Sequence, residues 1–210
     1  MTEGSIAVKL VAFSVPLIIS SILQLLFNAA DIVVVGRFAG DNSLAAVGST
    51  SSLINLMVNL FTGLATGTTV VAANYFGAKD SVHIHDTVHT SIVLSFISGL
   101  LLTVIGVFGA RRILLLMGSP SEVLPLASLY LKIYFAGITA SMVYNFGSAL
   151  LRAKGDTKRP LVILLIAGVI NVILNLFFVI VFKMDVAGVA LATVISQVFA
   201  AAVVIIILLN

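Results

Sequence analysis

The sequence predicts an all-α integral membrane protein of six transmembrane helices, and three observations carry that prediction. Of the 210 residues, 60% are hydrophobic and 9% charged, against roughly 45–50% and about 25% in soluble domains. With a mean hydropathy of +1.24, the chain has more apolar surface than a soluble fold of this size can bury, so its solvent is lipid. Charged and turn-forming residues gather at five places, leaving six apolar stretches of spanning length near 10–35, 45–76, 88–110, 124–150, 160–182 and 186–209. These runs are continuously apolar, without the alternation of a membrane β-barrel.

Composition also excludes several classes. The chain has no Cys, which removes disulfides, thiolate nucleophiles and Cys-based metal sites. The net charge of +3 is absorbed by loops and headgroup anchors, so no nucleic-acid partner is expected. The first apolar run is too long for the core of a signal peptide and lacks a small-residue cleavage site.

The first span carries Pro16, which removes a backbone donor and predicts a bend, either static or a flexing point for gating. Beyond it Ser20, Gln24, Asn28 and Asp31 recur at helical spacing and share one face. An Asp at the centre of a span costs about 2.5–3.5 kcal/mol, so this stripe is expected to face the bundle or a wet cavity. Asp31 is the foremost candidate for an ion site. The alternative is an Asp near the helix end that snorkels and pairs with Arg37. The first break covers 36–42. In the second span Asn55, Asn59, Thr62, Thr66 and Thr69 repeat the pattern, with Gly63 and Gly67 as a small-residue pair suited to close helix approach. The second break, 77–86, leads into His83, His85, Asp86 and His89. These read as a solvated linker, with no metal site expected. The third span ends at Arg111 and Arg112, followed by a turn over 118–125. The fourth carries Tyr130, Tyr134, Ser141, Asn145 and Ser148. The most polar break, 152–160, reads as a headgroup contact first and a partner contact second. The fifth span bears Asn171 and Asn175, and the shortest break, 183–185, leads to a sixth with Thr193 and Gln197. Polar stripes on five spans predict a hydrated interior surface, with Asn55, Asn59, Thr62, Tyr134 and Asn145 as candidate cavity residues.

Lys and Arg in short loops set orientation. With the N-terminus inside, that side holds Lys9, Lys79, Arg152, Lys154, Lys158 and Arg159. The outer side holds Arg37, Arg111, Arg112, Lys183 and Lys132. A cytoplasmic N-terminus is expected. The last span stops at Asn210 without a basic or aromatic anchor, as expected of a chain cut at a domain boundary.

Enzyme signatures are missing: no His-Glu-x-x-His, no Gly-x-Ser-x-Gly, no phosphate-binding loop and no paired intramembrane acids. No catalytic residue and no cofactor are expected. One carboxylate among amides is equipment for binding Na⁺ or H⁺, which points to transport.

The run 16–46, with Asn28, Asp31, Gly36 and the sequence Leu44-Ala45-Ala46-Val47-Gly48, resembles the opening of the multidrug and toxic compound extrusion (MATE) transporters. The loop over 151–160 and the segment from Ile170 to Asn175 resemble that family's loop after the fourth helix and its Asn-rich fifth helix. The resemblance implies a secondary antiporter of the cell membrane that exports small organic, often cationic, compounds in exchange for Na⁺ or H⁺. It also implies twelve helices in two lobes, this chain being the N-terminal lobe and needing a C-terminal half or a second copy as its mate. It assigns cation coupling to Asp31 and Asn171 and the first-helix proline to Pro16. Asn175 stands where some relatives carry Asp, which leaves Asp31 as the lobe's one intramembrane carboxylate. Gln24, Asn28 and Asp31 are expected to face Asn171 and Asn175 across the lobe interior, the five together forming the cation-coupling site. Two other readings stand beside this one: a lipid-linked precursor flippase of related architecture, and a six-helix scaffold or channel subunit.

Overall fold

In lipid a backbone amide finds no partner except the chain's own carbonyls, and every span takes the helical solution. The computed structural model describes residues 6–209; Asn210 and the side chain of Lys9 lie outside the described residues. Its helices are α1 (Ile6–Phe38), α2 (Asp41–Ala78), α3 (Ser81–Leu116), α4 (Leu124–Ala136), α5 (Ile138–Ala153), α6 (Lys158–Leu176) and α7 (Asp185–Leu209), with a π-helical turn, Phe177–Val181, continuing α6. Five helices are long and apolar enough to span a membrane, and α4 with α5 makes a sixth span bent by 48°. The molecule is a multi-pass membrane protein built as the composition predicts.

The breaks are narrower than the charges imply. Only residues 39–40 separate α1 from α2, and only 79–80 separate α2 from α3. His83, His85, Asp86 and His89 ride on the opening turns of α3 instead of a linker, and Arg111 and Arg112 stay inside the same helix, which runs to Leu116. Polar side chains at a helix end are solvated by headgroups while the backbone ladder continues, so charge marks the membrane surface and not the end of the helix. At 38 residues, α2 is about 57 Å long, nearly twice the hydrocarbon core, and must tilt or protrude.

What ends these helices is backbone chemistry. After α5 the amide of Gly155 donates to the Arg152 carbonyl and that of Asp156 to the Leu151 carbonyl, both at 2.9 Å, a Schellman closure that needs the left-handed Gly155 (φ 92°). The same pair of bonds ends α2 around Lys79, a non-glycine residue held at φ 57°. Asp80 then caps α3, accepting from the His83 amide at 3.2 Å and facing His83 Nδ1 at 2.7 Å. The bond from the backbone amide, first, and the imidazole, second, hold its carboxyl below the usual carboxylate range. The His83 ring in turn stacks on Tyr75 at 5.0 Å.

The break in the fourth span falls at Gly137. The ladder is interrupted there, and the Phe135 carbonyl accepts from Thr103 Oγ1 of α3 at 2.9 Å. A Cβ on Gly137 would sit 2.4 Å from Val194 of α7, so the missing side chain lets α7 approach the bend. The bent span occupies the middle of the lobe, packed on α2, α3 and α7. Phe135, Ile138, Met142 and Phe146 are almost wholly buried there. Close approach comes from Gly99 against Thr139 and Gly106 against Phe135. Gly63 and Gly67 have nothing within 4 Å of where a Cβ would be, so the expected small-residue contact is not made within this chain. Helix α1 packs chiefly on α6. Only its C-terminal end, Val34 and Val35, enters the main core with Ala46 and Val47 of α2.

Candidate functional site

The register of α1 on α6 positions the one intramembrane acid. The Phe27 ring lies over Gly168, where a Cβ would meet it at 1.9 Å. One turn beyond Phe27 and two beyond Gly168, Asp31 meets Asn175. With the two helices running parallel, the Phe27–Gly168 contact and the Asp31–Asn175 contact fix one another.

From Asp31 a chain of hydrogen bonds crosses three helices. Asn175 Nδ2 donates to Asp31 Oδ1 and, more weakly at 3.4 Å, to Asn171 Oδ1. Asn171 Nδ2 donates to Thr193 Oγ1 of α7 at 3.2 Å, and the Thr193 hydroxyl donates to the Val189 carbonyl at 3.0 Å. Asn171 and Asn175 are buried, Asn175 completely, and Asp31 is half-buried. One buried acceptor, Asn175 Oδ1, has no donor among the described residues. The carboxylate and this amide oxygen belong to the same pair of side chains. Tyr130 and Tyr134 of α4, stacked with ring centres 6.2 Å apart, lie within electrostatic reach of the Asp31 carboxylate. The π-helical turn begins two residues after Asn175, and such turns often mark functional positions in helices.

The expected residues thus divide. Asp31, Asn171 and Asn175 come together, and no hydrogen bond joins Tyr134 to them among the described residues. Gln24 and Asn28 do not: both are exposed on α1 and do not face the two asparagines across the interior. Pro16 is buried within a helix assigned without interruption, and the carbonyl of Pro16 accepts from Ser20 Oγ at 2.8 Å, so Ser20 turns back on its own helix. Asn55 and Asn59 are exposed on α2, Thr62 returns its hydroxyl to the Val58 carbonyl at 2.9 Å, and Asn145 is half-buried on α5. Asp31 takes Asn175 as its partner in place of Arg37, which is exposed. Among the described residues no group of three His, Cys, Asp or Glu could hold a metal ion.

Thr193 and Tyr130 were visible only as members of polar stripes, and neither spacing nor the resemblance says that those two stripes meet the Asp31 pair. The Phe27–Gly168 contact had no signal at all, since an aromatic and a glycine in two apolar runs are unremarkable apart.

A family profile described as MatE matches residues 16–177. The probable multidrug resistance protein YpnP of Bacillus subtilis is 32% identical over 196 residues, which is 93% of this chain and 44% of that protein. The multidrug export protein MepA of Staphylococcus saprophyticus is 27% identical over 94% of this chain and 44% of its own length. Among solved structures, the outward-facing conformation of a multidrug resistance MATE family transporter of the MOP superfamily superposes with a TM-score of 0.89 at 29% identity, covering 95% of this chain and 44% of that one. The chain therefore spans a little under half the length of the relatives it matches.

Proposed function

This chain belongs to the MatE family, and from that premise we propose that it acts as the N-terminal lobe of a secondary antiporter that exports small organic, often cationic, compounds in exchange for Na⁺ or H⁺. The observation that supports this most is the Asp31–Asn175 pair: an ionisable group inside a span, met among the described residues by a single amide donor, beside a buried amide oxygen with no donor there. Oxygen ligands and a carboxylate suit a hard monovalent cation or a proton. Binding there neutralises Asp31 and changes what Asn175 must satisfy, so helices α1, α6 and α7, joined through Asn171 and Thr193, would prefer different arrangements with and without the cation. The expected mate is a C-terminal lobe or a second copy, and Gln24, Asn28, Asn55 and Asn59 would line the cavity between the two. All four are neutral and exposed, which favours a loosely selective surface for organic compounds over the cationic pocket that a lipid pyrophosphate requires. No catalytic chemistry is part of this reading. The lobe would sit in the cytoplasmic membrane with its N-terminus inside.

The test is Asp31→Asn in the product of the complete gene. Efflux of a cationic dye from cells or vesicles should be lost under both imposed Na⁺ and imposed pH gradients, with membrane abundance unchanged. The gradient that drives the unsubstituted protein identifies the coupling ion. Dye efflux retained by the variant overturns the assignment.

A further inference from the structure

At the other end of α1, 18 residues and about 27 Å from Asp31 along the helix, two concavities adjoin. One, of about 560 Å³, is lined by Ala12, Phe13 and the loop 154–159. The other, of about 340 Å³, is a groove between α6 and α7 walled by Val162, Ile166, Phe199, Val203 and Ile207. Lys158 and Arg159 line both. Residues 152–159 hold four basic side chains and one acid, a net charge of +3. That acid is already engaged: Asp156 Oδ1 accepts from the Arg159 amide at 3.1 Å and Oδ2 faces Arg159 Nε at 3.2 Å. Lys154 and Lys158 are exposed and take no part in the salt bridges found among the described residues.

The loop is held in place from below. Its Schellman closure fixes Gly155 and Asp156, and the buried Tyr144 hydroxyl donates to the Pro160 carbonyl at 3.1 Å, tying α5 to the first turn of α6. A basic hollow at the membrane surface therefore opens into an apolar groove that descends into the hydrocarbon, with Lys158 and Arg159 at the junction. An organic cation is repelled by the hollow, and a free anion has no use for the groove. The occupant with matching charge and matching apolarity is an amphiphile with an anionic head.

We propose that this junction is a binding site for an anionic phospholipid, its phosphodiester held by Lys154 and Lys158 with Arg159 at the rim and one acyl chain lying along Ile166, Val203 and Ile207. Basic residues at a membrane surface draw anionic lipid, and the groove converts that attraction into a defined contact. The site is separate from Asp31 and does not depend on the transport reading.

The experiment is native mass spectrometry of the complete gene product, exchanged into micelles with equimolar phosphatidylglycerol and phosphatidylcholine. Phosphatidylglycerol should be retained preferentially. K154Q/K158Q, at two exposed positions, should weaken its retention roughly 30-fold and leave phosphatidylcholine unchanged. I166F, which fills the groove from its lipid-facing side, should shed phosphatidylglycerol with the basic residues intact. Equal retention of the two lipids, or retention unaffected by either variant, overturns the proposal. So does displacement of the lipid by millimolar inorganic phosphate, which would assign the hollow to a free anion.

Discussion

Asn175 is the hinge of the candidate site, because its one amide group serves two partners. Nδ2 supports Asp31 and reaches Asn171, while Oδ1 has no donor among the described residues. Truncation to Ala takes away the one hydrogen bond found to Asp31 and one of the two that hold Asn171. A hydrogen bond within a bundle in lipid is worth about 0.6–2 kcal/mol. Asn175→Ala should therefore lower the melting temperature of the detergent-solubilised protein more than Thr193→Val, which removes only the far end of the chain. Equal losses in the two variants would mean that the bonds act separately and that Asp31 does not lean on Asn175. The cost of a carboxylate in lipid made Asp31 legible in the sequence, while Asn171 and Asn175, one polar pair among several by spacing, were tied to it by the family resemblance. The spacing argument failed for Gln24 and Asn28, since helical spacing places residues on a common stripe about 100° wide without saying which edge of the stripe meets a neighbour.

For the helices, two contacts make separable predictions. A Cβ at Gly99 would lie 2.5 Å from the backbone Cα of Thr139, and backbone cannot swing aside as a side chain can. Gly99→Ala should push α3 from α5 and destabilise the protein by about 1–3 kcal/mol, read as a lower midpoint in thermal unfolding; an unchanged midpoint would show that the helices separate at no cost. The cap on α3 carries a pH dependence. The folded pKa of Asp80 lies below the ordinary 3.8, so its contribution is complete above that value and is lost as pH falls through the depressed folded pKa. Amide exchange at His83 and His85, corrected for intrinsic rate, should accelerate only on acidification below the normal carboxylate range, and Asp80→Asn should remove that step. Acceleration that persists in Asp80→Asn would mean that the carboxylate is not its source. Helix ends are poorly legible in the sequence, because polar residues sit within the terminal turns and do not end them. Gly77 looks like a terminator, yet the chain turns left-handed two residues later at Lys79, where the bonds to the Tyr75 and Phe76 carbonyls fall.

Taken whole, the lobe is asymmetric: the bent fourth span is buried on several sides, while α1 and α2 leave large apolar and neutral polar side chains exposed together. If α1 and α2 border a wet cavity in the complete protein, Cys placed at Asn28 and Asn59 should react with a membrane-impermeant thiol reagent, and transported dye should protect both. Cys at Leu60, which is 70% exposed, should stay unreactive if it faces lipid. The chain has no native Cys, so any cysteine elsewhere in the complete protein is the only background to remove. Unreactive Asn28 and Asn59 positions would place these residues against lipid or a packed partner. By itself the sequence determined that this is a multi-pass membrane protein, which acid lies inside a span and which family it resembles. Those properties follow from transfer energies and short motifs, which are local along the chain. Tertiary structure alone decided that the fourth span breaks at Gly137, that Phe27 seats on Gly168 and that Gln24 and Asn28 stay outside the Asp31–Asn175 pair. It also joined the basic loop to an apolar groove. Each of these depends on which helix faces meet, and close packing between distant segments selects that pairing.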